Sequence, residues 1–393
     1  MWMTASSVIA LLGFADLGMG NGLLNSISES DGINDRKSAQ IYVTSAFYML
    51  LAIAILIMLF FALMYPFIPW AKVFNVVSDQ AIQEAGPSMA VLIVLIAINM
   101  PLGVAQRVQL GYQEGYKTHL WGVLGSLLGF GGVLVAIYFK AGLIWLVLAM
   151  SGGPCFAMLL NWLDLFFRSR RWLFPRWSVF DVHITRKLAG TGMLFLALQV
   201  MAIIGSASDN IVIAQILGAS AVSVYAVTQK LFVATMIAQY FIAPLWPAFG
   251  EALSRKDYVW AKKTLRSALK ISFVMSAATA IPLIFLAKPI IHYWVGPELI
   301  PSIYLSLGFA AFVFLASYGG VMSTLLNNGE MIRPQVIFYS AASISSLVLK
   351  IVLTYKIGVA GTIWATIIGY SIFYIIPAGK LAHRYLDEKT NLS

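Results

Sequence analysis

The chain has 393 residues, 60% apolar, 13% aromatic and only 11% charged, with a net charge of +10. Soluble domains carry about 45–50% apolar and about 25% charged residues, so this composition excludes a soluble enzyme and places the chain in a membrane. Segments of about ten residues with alternating polarity, the mark of transmembrane strands, do not occur. What remains is an all-α polytopic membrane protein.

Eleven spanning helices are predicted, at about 2–28, 39–68, 86–110, 119–139, 142–167, 188–217, 220–248, 264–287, 300–327, 333–355 and 359–384. Each is long enough for the roughly 20 apolar residues a helix needs to cross hydrocarbon. The first begins without a basic region, so no cleavable signal peptide is expected. It places Asp16 among glycines, with Gly18 and Gly22 four apart. A carboxylate at membrane depth is costly, so Asp16 is expected to face an internal, partly wet space, with the glycines allowing close helix packing. Further on, 168–187 is the longest polar stretch and carries six Lys/Arg beside Trp172 and Trp177. It reads either as a segment in the headgroup layer or as a plain charged linker. It divides the chain into an N-terminal lobe, 1–167, and a C-terminal lobe, 188–393.

Lysine and arginine set the orientation. Eighteen of the 26 fall at the turns near 29–38, 111–118, 168–187, 251–263 and 328–333 and near the C-terminus, against Lys72, Lys140, Lys288 and Lys356 on the other side. The richer side, with the C-terminus, is expected in the cytoplasm. The net charge is thus a topology signal, and no nucleic-acid partner is expected. Arg107, Lys230, Lys270 and Lys350 remain at membrane depth. A single cysteine, Cys155, and four scattered histidines point to no disulfide and no metal site. No Walker loop or nucleophile motif occurs, so neither a cofactor nor enzymatic activity is expected.

The chain also repeats itself. Residues 24–50 share with 249–275 a helix end, a charged turn and a basic helix start, and 109–152 parallels 325–369, with Lys140-Ala141-Gly142 falling on Lys356-Ile357-Gly358. The spacing of about 216–225 residues spans an even number of helices, so the copies run parallel across the membrane, a known transporter plan. Under this register the first lobe has five helices and the second six, and an opening helix is expected to be missing.

Trp2-Met3-Thr4-Ala5-Ser6-Ser7, followed by Phe14-Ala15-Asp16-Leu17-Gly18-Met19-Gly20-Asn21-Gly22-Leu23-Leu24-Asn25, resembles the opening motif of bacterial polysaccharide flippases of the O-antigen type. These belong to the multidrug/oligosaccharidyl-lipid/polysaccharide (MOP) exporter superfamily. Ser208–Ala214 with Leu217-Gly218, and Leu110-Gly111-Tyr112, resemble two further family segments. In similar proteins a helix ending in LG…YG precedes the first motif, in keeping with the missing helix. The resemblance implies two six-helix lobes around a central cavity, moving undecaprenyl-pyrophosphate-linked oligosaccharide across the bacterial inner membrane by alternating access. A proton or sodium ion is the expected coupling partner. One alternative is a multidrug extruder on the same fold, although its mostly cationic substrates suit an acidic cavity better than one with lysines. A membrane polymerase or glycosyl transferase is disfavoured, because the outer loops are short and the longest, 69–85, holds only Asp79 and Glu84.

Lys350 leads the candidate site residues. Gln335, Tyr339, Ser343, Ser346, Lys350 and Thr354 recur at steps of three and four, one stripe of a helix. A cation there could hold a pyrophosphate or an acidic sugar; the alternative is snorkelling to the outer interface. Lys230, near mid-membrane, is expected at the cavity or in an ion pair with Asp16 or Asp209, which across the two lobes would be a gate. Gln199, Ser206 and Asn210 form a second polar stripe, explained as well by helix–helix hydrogen bonds as by substrate. Arg107 reads chiefly as a headgroup anchor, Lys270 as a lipid-facing anchor, and Asn21 and Asn25 as structural. Pro244, Pro247 and Pro282 mark bends or static kinks.

Overall fold

A computed structural model describes residues 16–74, 79–235, 238–328 and 331–392. Among them every regular element is helical, and nine helices are long and apolar enough to cross a membrane. The two other expected spans differ for separate reasons. Residues 2–15 of the first, with Trp2–Ser7, Phe14 and Ala15 of its motif, lie outside the described residues. The span expected at 220–248 is divided: helix geometry stops at Val233, a short helix covers Ala238–Ile242, and Pro244, which has no N–H to continue a ladder, opens another at Leu245.

The chain forms two compact units, 1–196 and 197–393. The division falls inside one long helix rather than at the basic segment 168–187, which lies wholly in the first unit.

The first unit contains α1 (Met19–Gly32), α2 (Arg36–Met64), α3 (Asp79–Leu102), α4 (Val104–Gly111), α5 (Gly115–Tyr138) and α6 (Leu143–Leu163), and it ends within α7 (Val182–Leu217). Its core gathers Leu23 and Ile27 of α1, Val43 and Leu50 of α2, Val104 and Val108 of α4, and Leu165, Leu173 and Leu188. The basic segment is part of this core. Leu173 is fully buried, Phe174 packs on Trp162 and Phe167, and Arg36 lies over the Trp172 ring at 5.6 Å. Arg170 stacks over Tyr112 at 3.7 Å and pairs with Glu114 at 3.0 Å. Burial pushes the Tyr112 phenol up to about 12, so it stays neutral beneath that guanidinium.

The second unit holds the rest of α7, then α8 (Ala219–Val233), α9 (Leu245–Ser254), α10 (Tyr258–Trp294), α11 (Ile303–Leu326), α12 (Ile332–Ile357), α13 (Val359–Tyr370) and α14 (Ile376–Leu392). Pro282 and Pro289 sit within α10 without ending it. Large apolar side chains point outward along the spans, Leu56, Phe60, Leu120, Phe273 and Ile337 among them, as a bilayer demands.

The same helix-ending device recurs at four turns. Asn34, Gln113, Lys140 and Lys256 have positive φ, and the next residue, Asp35, Glu114, Ala141 or Asp257, returns its backbone N–H to the carbonyl five residues back. This closes one helix in a Schellman motif. Asp35 and Asp257 then cap the following helix by accepting from the N–H of Ser38 and Trp260. The two aspartates are the matching helix starts of the sequence repeat. Its other arm appears as two hairpins, α5–α6 and α12–α13, each built on close backbone approach. Gly125, Gly129 and Gly132 of α5 face Ala149, Gly153 and Pro154 of α6, while Gly361 and Gly369 of α13 lie against Leu353 and Ser346 of α12.

A Cβ at Gly153 would collide with the Gly129 backbone, whereas one at Gly122 meets open space. Gly153→Leu is expected to destabilise by about 1–3 kcal/mol through overpacking. Gly122→Leu is expected to leave the thermal midpoint in detergent unchanged. Thermal unfolding of both variants beside the parent checks this.

Candidate functional site

The stripe read on α12 is its buried face: Gln335, Ser343, Ser346, Lys350 and Thr354 are each at most 2% exposed. Burying a lysine here requires acceptors, and α7 supplies them. The Lys350 ammonium contacts Asp209 Oδ1 at 2.5 Å, donates to Ser208 Oγ at 3.1 Å and donates to the Gly205 carbonyl. Two of the ammonium's three N–H bonds are donated in this way, and the Asp209 carboxylate balances its charge. Tyr225 on α8 completes the cluster by donating its hydroxyl to Asp209 Oδ2 at 2.7 Å.

This geometry corrects three expectations. Lys350 does not snorkel to an interface, since its side chain is fully enclosed. It also presents no bare cation to a ligand, because its charge is spent on Asp209. The Asp–Lys pair lies inside the second unit, so it is no gate between lobes, and Asp209 pairs with Lys350 rather than with Lys230. Lys230 is exposed, on the side of α8 away from the buried Tyr225, Thr228 and Phe232.

Asp209 forms part of the wall of a cavity of about 310 Å³ within the second unit. Six aromatic rings line it: Tyr225, Phe309, Phe312, Tyr339, Tyr370 and Tyr374. Ser206, Ser323, Thr366 and Gln229 add polar edges. Tyr339 meets Tyr370 and Tyr374 edge-on at 5.3 and 5.2 Å. Hydroxyl contacts fix the last two, Ser343 with Tyr370 at 3.2 Å and Ser323 with Tyr374 at 2.6 Å. Gln335 in turn donates to Ser323 at 3.3 Å. Ser346 is buried against Gly369, and its hydroxyl has no hydrogen-bond partner among the described residues. On the other stripe, Ser206 reaches the cavity and Asn210 is exposed. Gln199 is half-buried, its Oε1 enclosed without a described partner.

The first unit holds a separate polar cluster. Arg107 donates to Asn21 Oδ1 at 2.8 Å and pairs with Asp16 at 3.7 Å. Asp16 also accepts from the Gly18 N–H. Arg107 therefore has specific partners, beyond the headgroup anchoring expected of it. With Asn99, Gln106, Gly20 and Asp16 it lines a second cavity, also about 310 Å³. The Arg107 side chain as a whole is a third exposed, and Asn99 Oδ1 is enclosed without a described partner. Among the described residues no three potential metal-ligating side chains cluster.

A model of the family described as polysaccharide biosynthesis protein matches residues 4–304. The chain belongs to this polysaccharide biosynthesis family. No curated protein matches its sequence. Among solved structures, a MATE transporter in complex with MaL6 superimposes with a TM-score of 0.83 at 16% identity, covering 98% of this chain and 88% of that one. An outward-facing multidrug-resistance MATE transporter of the MOP superfamily gives 0.84 at 15%, covering 99% and 88%. A MOP-superfamily transporter from Pyrococcus furiosus, described as having a binding pocket of reversed polarity, gives 0.81 at 15%, covering 98% and 87%. This member of the polysaccharide biosynthesis family is therefore a multi-pass membrane protein with the MOP-transporter fold.

Sequence reasoning missed Tyr225, Gly205 and Ser208 around Lys350, and the aromatic ring contributed by α11 and α13. Gly205 stands four residues before Asp209 and Ser208 next to it, a spacing that puts them near one face of α7; Tyr225 and the rings of α11 and α13 join them only through helix packing.

Removing one partner of a buried ion pair typically costs about 3–5 kcal/mol, because the other charge stays behind. Lys350→Met and Asp209→Asn are each expected to lower the unfolding midpoint sharply. The double variant is expected to recover most of the loss, and a double-mutant cycle in detergent measures it.

Proposed function

We propose that this chain moves a lipid-linked oligosaccharide, an undecaprenyl-pyrophosphate-linked repeat unit, across the bacterial inner membrane by alternating access, with its C-terminus in the cytoplasm. The observation that carries the reading is the lining of the Asp209 cavity: six aromatic rings edged by hydroxyls and amides. Aromatic faces pack on the apolar C–H faces of sugar rings, while hydroxyls exchange hydrogen bonds at the ring edges, the mixed lining that small-molecule sites use. Family membership points to the same substrate class. In the first unit Arg107 lines a cavity, and its guanidinium fork suits a diphosphate. No chemistry on the substrate is needed. Asp209, paired in the resting arrangement, is a group whose charge a proton or sodium ion could offset during the cycle.

One observation favours a cation extruder as the second reading. The ionised group at the aromatic cavity is a carboxylate, and aromatic faces attract cations. Lysines do not weigh against this reading, since Lys350 is neutralised where it stands.

Complementation of a strain lacking its polysaccharide flippase separates the two, alongside transfer of lipid-linked glycan in proteoliposomes under proton and sodium gradients. Restored surface polysaccharide is expected. Tyr339→Ala and Tyr370→Ala are each expected to slow glycan transfer about tenfold, equivalent to roughly 1.4 kcal/mol per lost aromatic contact. Absence of glycan transfer under every gradient, with efflux of organic cations by the same preparation, would replace the flippase reading with the extruder.

A further inference from the structure

We infer that the basic end of α10 and the groove beside it bind an anionic diacyl phospholipid of the surrounding membrane. The site is separate from both polar clusters described above and independent of the transported substrate.

The sequence of α10 lays out a polarity gradient. Lys262, Arg266 and Lys270 stand four apart, and beside them runs the row Lys263, Ser267, Ile271, Met275. Residues four apart on a helix share a face. The first row is wholly cationic, while the second passes from cation through hydroxyl to apolar within three turns. The helix has 37 residues, about 55 Å at 1.5 Å per residue. That exceeds a hydrocarbon core of about 30 Å, so its basic first turns stand at headgroup level while Ile271 and Met275 lie among acyl chains.

Two concavities follow this gradient. Lys262, Lys263, Arg266, Lys270, Ser267 and Thr390 line one of about 450 Å³. The other, about 530 Å³, shares Lys263 and Ser267 with it and is otherwise mainly apolar, with Phe241, Leu245, Trp260, Ile271 and Met275 in its lining. A charged compartment that opens into an apolar one across two shared residues matches a phosphate headgroup followed by its acyl chains. Trp260, a residue type that favours the membrane boundary, lines the apolar compartment one turn before Lys263.

The charge is only partly compensated: Asp387 pairs with Lys262 at 2.6 Å and also attracts Arg266. Among the described residues no carboxylate lies within ion-pair distance of Lys263, Arg266 or Lys270. Like charges a turn apart repel, and an anion seated among them relieves that repulsion. Deeper in the groove, Ser272 is 2% exposed and its hydroxyl has no described partner. It stands about 9 Å along the helix axis beyond Arg266 and about 3 Å beyond Lys270, within reach of the ester carbonyls of a diacyl lipid whose phosphate sits among the outer cations.

Native mass spectrometry of the full chain tests the inference, with phosphatidylglycerol and phosphatidylcholine of identical acyl chains as probes. Phosphatidylglycerol is expected to be retained in preference. The preference is expected to fall at least about fivefold in a Lys263→Gln/Arg266→Gln/Lys270→Gln variant, since each cation near an anionic lipid adds attraction. A control that removes the same charge elsewhere, Lys140→Gln/Lys288→Gln/Lys356→Gln, is expected to keep it. Ala268→Phe, which narrows the groove and leaves the cations in place, is expected to weaken retention too. Equal retention of the two lipids by the parent, or an equal loss in the control, would overturn the site. So would displacement of the lipid by inorganic phosphate, which would assign the cations to a soluble anion.

Discussion

An ammonium shut away from water must find hydrogen-bond acceptors and a balancing charge, and the second unit is arranged around meeting that demand for Lys350. The carbonyl of Gly205, the hydroxyl of Ser208 and the carboxylate of Asp209 come from one stretch of α7. Tyr225 of α8 takes the remaining oxygen of the carboxylate. Three helices are thereby held in register by charges that none could bury alone. In hydrocarbon, where water offers no substitute partner, such a cluster fixes relative position more firmly than apolar packing, which slides at little cost.

The cluster also decides what the adjoining cavity can hold. With the cation withdrawn behind Asp209, the cavity presents aromatic faces, hydroxyls and one compensated carboxylate. Such a lining suits a neutral, hydroxyl-rich ring better than a diphosphate, whereas the guanidinium of Arg107 belongs to a different cavity in the first unit. An aromatic, hydroxyl-edged lining and a cationic one thus occupy two separate cavities, one in each unit.

The two units solve their local problems in the same ways. Asn34-Asp35 and Lys256-Asp257 each end one helix with a left-handed residue and start the next with a capping aspartate. The α5–α6 and α12–α13 hairpins both rely on glycine for close approach, yet they are filled differently. Gly125 and Gly129 pack the first against Ala149, Pro154 and Ala157, whereas Ser346, Lys350 and the Thr354–Thr362 hydrogen bond make the second polar. Two similar scaffolds thus differ in what fills them.

Hydropathy determined much of this protein by itself. Apolar length sets where helices can cross a membrane, and a 3.6-residue period sets which side of α12 is buried, so the Gln335–Thr354 stripe is legible from residue spacing alone. Depth along its helix points Lys230 to the cavity or to an ion pair, yet it is exposed on the side of α8 away from Tyr225, Thr228 and Phe232. What the sequence left open was pairing. Spacing along the chain gives Lys350 a ligand or the outer interface and offers Asp16 and Asp209 to Lys230, so it names no carboxylate for Lys350. Only the packing of α7 against α12 put Asp209 at 2.5 Å, leaving Asp16 to Arg107. The division of 220–248 was hidden for a related reason, because hydropathy measures how apolar a segment is and not whether its backbone ladder continues. Partner choice is a property of three-dimensional proximity between helices distant in sequence, and no one-dimensional period encodes it.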